Sequence, residues 1–234
     1  MYFTAEEMSE PGDSREPDLW DQLDGLARSA VVLLTSEVTD AVHRTACRQF
    51  LGADDDPDRP RLLAVTGSGI GDGEQRLPEV RESPDSLRIV VNRISERSTP
   101  ASTVDASVAT RETLTEVPGE DLAAFGSSIS DGITALRSNV GGFEAGELRV
   151  CVDGFDVLFD LYGAETVVEF ALILAQQIRA FGARGQIHLP VDDRRVVELA
   201  TVCDAVVEFR FANGRTEQRW DVHGGGASDW VPLE

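Results

Sequence analysis

Asp153 is the residue whose type and position are most suggestive of chemistry. It ends the apolar run RVCVD and is followed by Gly154. Enzymes that transfer phosphoryl groups hold Mg²⁺ with an acidic residue in this position, at the end of a buried strand. An aspartate there also accepts hydrogen bonds from the backbone of the following turn. Taken alone, Asp153 is better explained by the role in the turn. Other residues of a metal or ligand site would have to accompany it before it indicated such a site.

The segments that follow the first two predicted strands lie where a ligand would bind in a sheet of this kind. A phosphate loop requires glycines, whose backbone N–H groups wrap the phosphates, and a lysine that neutralises their charge. The segment TSEVTDAVH has neither, and Ser36 within it is better explained as a helix N-cap. The segment TGSGIGDGE has Asp72 where the dinucleotide fingerprint requires glycine. We interpret it as a loop, and the alternative is a ligand lid that includes Gly67 and Gly69.

Histidine and cysteine provide no recognisable site. His188 is predicted at a strand end, His43 on the polar side of a helix and His223 in a glycine-rich segment. No His-carboxylate triad or metalloprotease motif accompanies them, so we expect packing or surface roles. Three cysteines without C-x-x-C spacing indicate neither zinc nor a disulfide framework, and we expect them to be reduced.

The charge balance excludes several functions. The 234 residues include 42 acidic and 21 basic side chains, for a formal net charge of -21, and every basic residue is arginine. A protein without lysine has no P-loop lysine and forms no Schiff base. Nucleic acid and anionic membranes would be repelled. We expect no metal or other cofactor and a location in the cytoplasm. The partner is expected to be another protein, which the sequence does not identify, or a second copy of the chain.

Composition also indicates a folded, salt-adapted protein. Hydrophobic residues make up 41% of the chain, which suffices for a core. Acidic runs such as ADDDPD are typical of proteins from salt-saturated cytoplasm, in which the salt screens the repulsion among carboxylates. The longest apolar stretch, 167–175, contains Glu169 and is too short to cross a bilayer.

Hydrophobic periodicity predicts alternating strands and helices. Apolar strands are predicted at 30–35, 61–66, 87–94, 148–152 and 185–189, with a weaker one at 113–117, and helices at 38–51, 119–137, 164–181 and 192–202. Two final strands meet at Asn213-Gly214, a hairpin signal. The fold class is therefore α/β: a doubly wound, mainly parallel sheet flanked by helices, with a C-terminal antiparallel hairpin. We expect a mobile acidic tail at 1–17, one domain at 18–223 and a C-terminal tail at 224–234.

The order of these signals resembles the RecA/KaiC superfamily of ATPases, in particular a degenerate haloarchaeal branch. The matching pieces are VVLLTSE at the Walker A strand, ELRVCVDGFDVLFD at the Walker B strand, RAFGARGQIHLPVDD at the sensor-like region, and the closing strands. The resemblance spans about Asp18 to Val222 and implies a RecA-like sheet.

The departures from that family concern catalysis. The G-x-x-x-x-G-K-S/T loop is replaced by TSEVTDAV, and the catalytic glutamate after the second strand is replaced by Gly67 and Ser68. Only Asp153 remains, so the groups that stabilise phosphoryl transfer are missing. The expectation is a non-catalytic regulatory or protein-interaction domain. The alternative is a domain that still binds ATP and Mg²⁺, or another small ligand, around Asp153, Ser36, Gly67 and Gly69.

Overall fold

A computed structural model describes most of the chain. The described residues are 26–35, 38–52, 58–67, 85–94, 113–119, 121–190, 194–223 and 225–233. They form one mostly parallel sheet with helices on both faces and an antiparallel hairpin near one edge. The predicted α/β class is confirmed. The predicted acidic tail at 1–17 lies outside the described residues. So do the amphipathic segment from Asp18, for which the spacing of Leu19, Leu23 and Leu26 predicts a helix, up to residue 25, and nearly all of the polar stretches 67–86 and 95–110, which we predict to be loops.

The strands begin and end close to the predicted positions. They are β1 (Ala30–Thr35), β2 (Arg61–Gly67), β3 (Leu87–Arg93), β4 (Leu114–Pro118), β5 (Arg149–Asp153), β6 (Arg184–Leu189), β7 (Ala205–Ala212), β8 (Arg215–Val222), β9 (Gly226–Ala227) and β10 (Val231–Pro232). The agreement reflects the strength of the signal in β1 and β2, which are almost entirely buried and mostly apolar.

Five helices are present in the described residues. They are α1 (Asp40–Leu51), α2 (Leu122–Asn139), α3 (Phe155–Tyr162), α4 (Ala164–Ala180) and α5 (Arg194–Ala200). The sequence did not predict α3, whose eight residues we interpreted as a turn. It is stabilised by burial of Phe155, Leu158 and Phe159, which share one helical face. Gly163, at a φ of 76°, separates α3 from α4.

The sheet order brings distant parts of the chain together. The strands lie in the order β10-β8-β7-β1-β6-β5-β2-β3-β4, and β9 pairs with β8 as well. Every pair from β7 to β4 along this order is parallel, whereas β8 is antiparallel to its neighbours. The carboxyl ends of the parallel strands therefore meet at one edge, which is where ligands bind in such sheets.

Side-chain alternation divides the core into two layers. In β1, Val31 and Leu33 point to the layer formed by α2 to α5, whereas Val32 and Leu34 point to the layer under α1. The α1 layer also contains Cys47 and Cys151. In the described part of the chain, α1 is the helix on this second face.

The C-terminal segment folds back onto its own chain. Sequence left open whether this segment docks on a neighbouring subunit. The short strand β10 pairs with β8, with Val231 opposite Gln218. The Trp230 ring lies 4.0 Å from the guanidinium of Arg210 and 4.8 Å from that of Arg219. The segment expected to be a tail thus extends the sheet.

The outer surface of α4 is more exposed than its sequence predicts. An almost uniformly apolar helix indicates burial on all sides, yet Leu172 and Ile173 are 42% and 49% exposed. The buried side chains of α4 follow one stripe that faces the sheet and α2. No helix within the described residues is long and apolar enough to cross a membrane.

Candidate functional site

Strands β5 and β6 place a column of polar side chains beneath α1. Every second residue of a strand faces the same side. Cys151 and Asp153 of β5 and Gln186 and His188 of β6 therefore share the α1 side, while the valine and isoleucine residues between them face the other helices. All four polar or thiol side chains are buried. A buried column of this kind must satisfy its own hydrogen bonds, since water does not reach it.

Asp153 is held by two donors within the protein. Its Oδ1 accepts a hydrogen bond from the Gly154 N–H at 2.8 Å and lies 2.5 Å from His188 Nδ1. Only 7% of Asp153 is exposed. A carboxylate oxygen accepts, so His188 donates from Nδ1. The hydrogen bond predicted between Asp153 and the backbone that follows it is present at Gly154, but a helix rather than a turn comes next. The sequence did not pair Asp153 with an imidazole.

His188 continues the column toward α1. Its side chain is 1% exposed, and Nε2 has no hydrogen-bond partner among the described residues. The ring of His43, from the first turns of α1, lies 4.3 Å away between centroids and is tilted by 56°. His43 in turn meets Phe209 edge-on at 5.9 Å. The ring of His188 is therefore held between a carboxylate and an aromatic stack.

Our sequence predictions for two histidines need correction. His43 was placed on the polar side of its helix, but it is 1% exposed and faces the sheet. His188 was given an ordinary packing role with no carboxylate partner, but it pairs with Asp153. The sequence does contain a signal for this pairing, because polar or thiol residues alternate with apolar ones as C-x-D in β5 and Q-x-H in β6. Their contact depends on β5 and β6 being neighbours, which local patterning does not specify.

A second layer of the column lies one step further from the strand ends. The Sγ atoms of Cys47 and Cys151 are 3.6 Å apart. The side-chain amide of Gln186 donates from Nε2 to the backbone oxygen of Cys47 at 3.0 Å. These contacts attach α1 to both β5 and β6.

Among the other predicted ligand residues, the structure describes Gly67 alone. Ser36 and Gly69 lie outside the described residues. Gly67 ends β2 and is half-buried, opposite Arg93 of β3. Its neighbour Thr66 contacts Gly154, because a Cβ on Gly154 would lie 2.5 Å from the Thr66 carbonyl oxygen. Gly67 therefore shares the carboxyl edge of the sheet with Asp153, and Asp153 turns to the histidines.

The last residues of the central strands are buried. Thr35, Thr66 and Asp153 are 2%, 8% and 7% exposed. Asn92 Nδ2 lies 3.5 Å from Thr66 Oγ1, at the outer limit for a hydrogen bond. Among the described residues, no group of three or more His, Cys, Asp or Glu is arranged to hold a metal ion.

A separate cavity lies at the far end of the same edge. It has a volume of about 540 Å³ and is lined by the ends of β3 and β4 and by Leu161 of α3. Its charged side chains neutralise each other, since Arg93 Nη2 lies 2.6 Å from Glu116 Oε1. Because that pair is satisfied, the cavity provides no free charge for a ligand among its described lining residues.

One family comparison covers most of the fold. A protein-family model described as a family of unknown function, DUF7504, matches residues 29–209. The match runs from the start of β1 into β7, so it includes the whole polar column. No curated protein matches the chain.

Proposed function

The chain belongs to DUF7504, a family of unknown function, and we propose that it is a non-catalytic RecA/KaiC-like domain acting as a regulatory or protein-interaction module. One observation supports this proposal above others. The acidic residue that would hold Mg²⁺ in an ATPase is engaged by His188 Nδ1 and the Gly154 N–H. An oxygen that accepts two hydrogen bonds in a buried column is a poor ligand for a hydrated cation.

The sheet order is compatible with a RecA-like ancestry. β6 lies between β1 and β5, so one strand separates the strand that would precede a phosphate loop from the strand that ends in Asp153. In doubly wound sheets, ligands bind beyond the carboxyl ends of the strands, which is where Asp153 lies. The position of Asp153 thus supports descent from an ATPase, and its partners support the loss of that activity.

Composition supports the proposed environment. A net charge of -21 with no lysine suits a cytoplasm of high salt, and we propose a halophilic archaeal source and a cytoplasmic location. A protein partner for this module would be recognised under the same salt, where long-range charge attraction is screened.

The proposal is tested by thermal unfolding in molar KCl with and without Mg-ATP. We expect no change in melting temperature for the wild type, since the sequence has neither a lysine nor a Walker A loop to bind the phosphates. Asp153→Asn should stay folded, because its amide oxygen still accepts from His188 and Gly154. Asp153→Ala should lose roughly 1–3 kcal/mol, because two buried donors lose their acceptor.

Asp160→Asn is the matched control. It removes an exposed carboxylate of α3 that lies 3.6 Å from Arg195, and it should change stability by no more than about 0.5 kcal/mol. A melting temperature that rises with Mg-ATP in the wild type and in Asp160→Asn, but not in Asp153→Asn, would overturn the proposal. That result would establish instead a nucleotide-binding domain centred on Asp153.

A further inference from the structure

Two of the three cysteines are in contact beneath α1. Cys47 Sγ and Cys151 Sγ are 3.6 Å apart, although the residues are 104 positions apart in the chain. Both are fully buried. A disulfide has an S–S distance of about 2.05 Å, so an approach of about 1.5 Å would bring the two sulfurs to bonding distance.

The thiol pair joins the elements that build the polar column. Cys47 lies one helical turn after His43 on α1, and Cys151 lies two residues before Asp153 on β5. Gln186 already ties the backbone of Cys47 to β6. A bond between the two sulfurs would therefore fix α1, and with it His43, against the strands that carry Asp153 and His188.

The third cysteine differs in position. Cys203 belongs to the core layer formed by α2 to α5, whereas Cys47 and Cys151 belong to the layer under α1. The sheet therefore separates the Cys203 sulfur from the other two. Burial also raises the pKa of the Cys203 thiol to about 12, an effect that the nearby Arg179 only partly offsets. We therefore expect Cys203 to stay outside the link between the other two cysteines.

We propose that Cys47 and Cys151 form a reversible disulfide, with a low-molecular-weight disulfide as the oxidant. One protein thiolate attacks the small disulfide, forms a mixed disulfide and releases one small thiol. The second protein thiolate then attacks the protein sulfur of that mixed disulfide and releases the other small thiol. Two protein thiols are oxidised and one small disulfide is reduced to two thiols. Because both sulfurs are buried, the first attack requires α1 to separate transiently from β5.

The test uses the full chain, folded in molar KCl and incubated with oxidised glutathione. The products are trapped in acid, digested and mapped by mass spectrometry. The expected product links the peptide containing Cys47 to the peptide containing Cys151 and leaves Cys203 free. A chain that keeps three free thiols, while the urea-unfolded chain is oxidised, would overturn the proposal. So would stable glutathione adducts without the link between Cys47 and Cys151.

Two variants and one stability measurement complete the test. Cys203→Ser should form the same link, and Cys151→Ser should accumulate glutathione on Cys47. If Cys151→Ser does not fold, the wild-type peptide map still decides. The oxidised wild type should unfold at a higher urea concentration than the reduced protein, and dithiothreitol should reverse the difference. An unchanged or lower urea midpoint would show that the bond does not stabilise the native position of α1.

Discussion

At the scale of single residues, the partners of Asp153 limit what its carboxylate can do. The same aspartate at the end of the same strand would be a metal ligand if its oxygens faced solvent or a phosphate loop. Here Oδ1 faces His188 and the Gly154 N–H, and the side chain is almost entirely buried. This oxygen is satisfied within the core, as is typical of a structural carboxylate.

Glu217 is a second residue whose charge is supported from within the fold. Its Oε2 accepts from Arg210 Nε and Nη2 at 2.9 and 2.6 Å, and its Oε1 accepts from Arg215 at 3.2 Å. The hydrogen bonds from Arg210 are the main reason that the pKa of Glu217 is lowered below its ordinary value. The charged form is favoured by the folded state, so folding is favoured by ionisation of this residue.

The lowered pKa predicts how stability depends on pH at Glu217. A carboxyl group whose pKa is lower in the folded state stabilises the fold at any pH above its unfolded-state pKa. This contribution is lost as the pH falls through its folded-state pKa. The wild type should therefore exceed Glu217→Gln in stability at neutral pH, and the two should converge in acid. Urea unfolding over a pH series measures the difference. Glu165 is an exposed residue of α4, and the variant Glu165→Gln controls for the loss of one negative charge. If the wild type and Glu217→Gln differed in unfolding free energy by the same amount at every pH, the prediction would be contradicted.

At the scale of elements, the turn between β5 and α3 depends on glycine for two reasons. Gly154 has a φ of +85°, and a Cβ there would lie 2.5 Å from the Thr66 carbonyl oxygen. Gly163, between α3 and α4, has a φ of +76° with no atom within 4 Å of the Cβ position. The two glycines share a positive φ but not a conformation, because Gly154 has a ψ of 27° in the left-handed region and Gly163 has a ψ of 167° outside it.

Replacement of Gly154 tests both features of this turn. Gly154→Ala should cost about 1–2 kcal/mol for the strain of a left-handed alanine. It should cost about 1–3 kcal/mol more because the new methyl group displaces Thr66. Urea unfolding measures the total cost. A cost no larger than the strain alone would show that β2 yields freely and that the turn does not fix the position of Asp153.

At the scale of the whole molecule, the net charge of -21 governs the response to salt. Self-repulsion opposes the compact state, and the Debye length falls from about 10 Å at 0.1 M to about 3 Å at 1 M salt. The melting temperature should therefore rise with KCl, with most of the gain below about 1 M. Any further rise in melting temperature above that KCl concentration would come from effects of salt other than charge screening. A melting temperature unaffected by KCl at low concentration would contradict the role assigned to the acidic surface.

Local patterns account for most of the elements and little of the candidate site. The strands β1 and β2 were found from their apolar runs, and Asn213-Gly214 marked the hairpin, which has φ values of 54° and 78° at these residues. The helix α3 was missed because it is only eight residues long and follows Gly154 directly. The strand β10 was missed because its two residues gain their partners only from β8.

The sequence by itself determined the α/β class, the absence of lysine and the position of Asp153 at a strand end, because each follows from residue type or from periodicity over a few residues. The tertiary structure decided the contacts between Asp153 and His188, 35 residues apart, and between Cys47 and Cys151, 104 residues apart. Such contacts depend on strand order and on the placement of α1 over the sheet. Both are set by the burial of the whole core, which no local segment encodes.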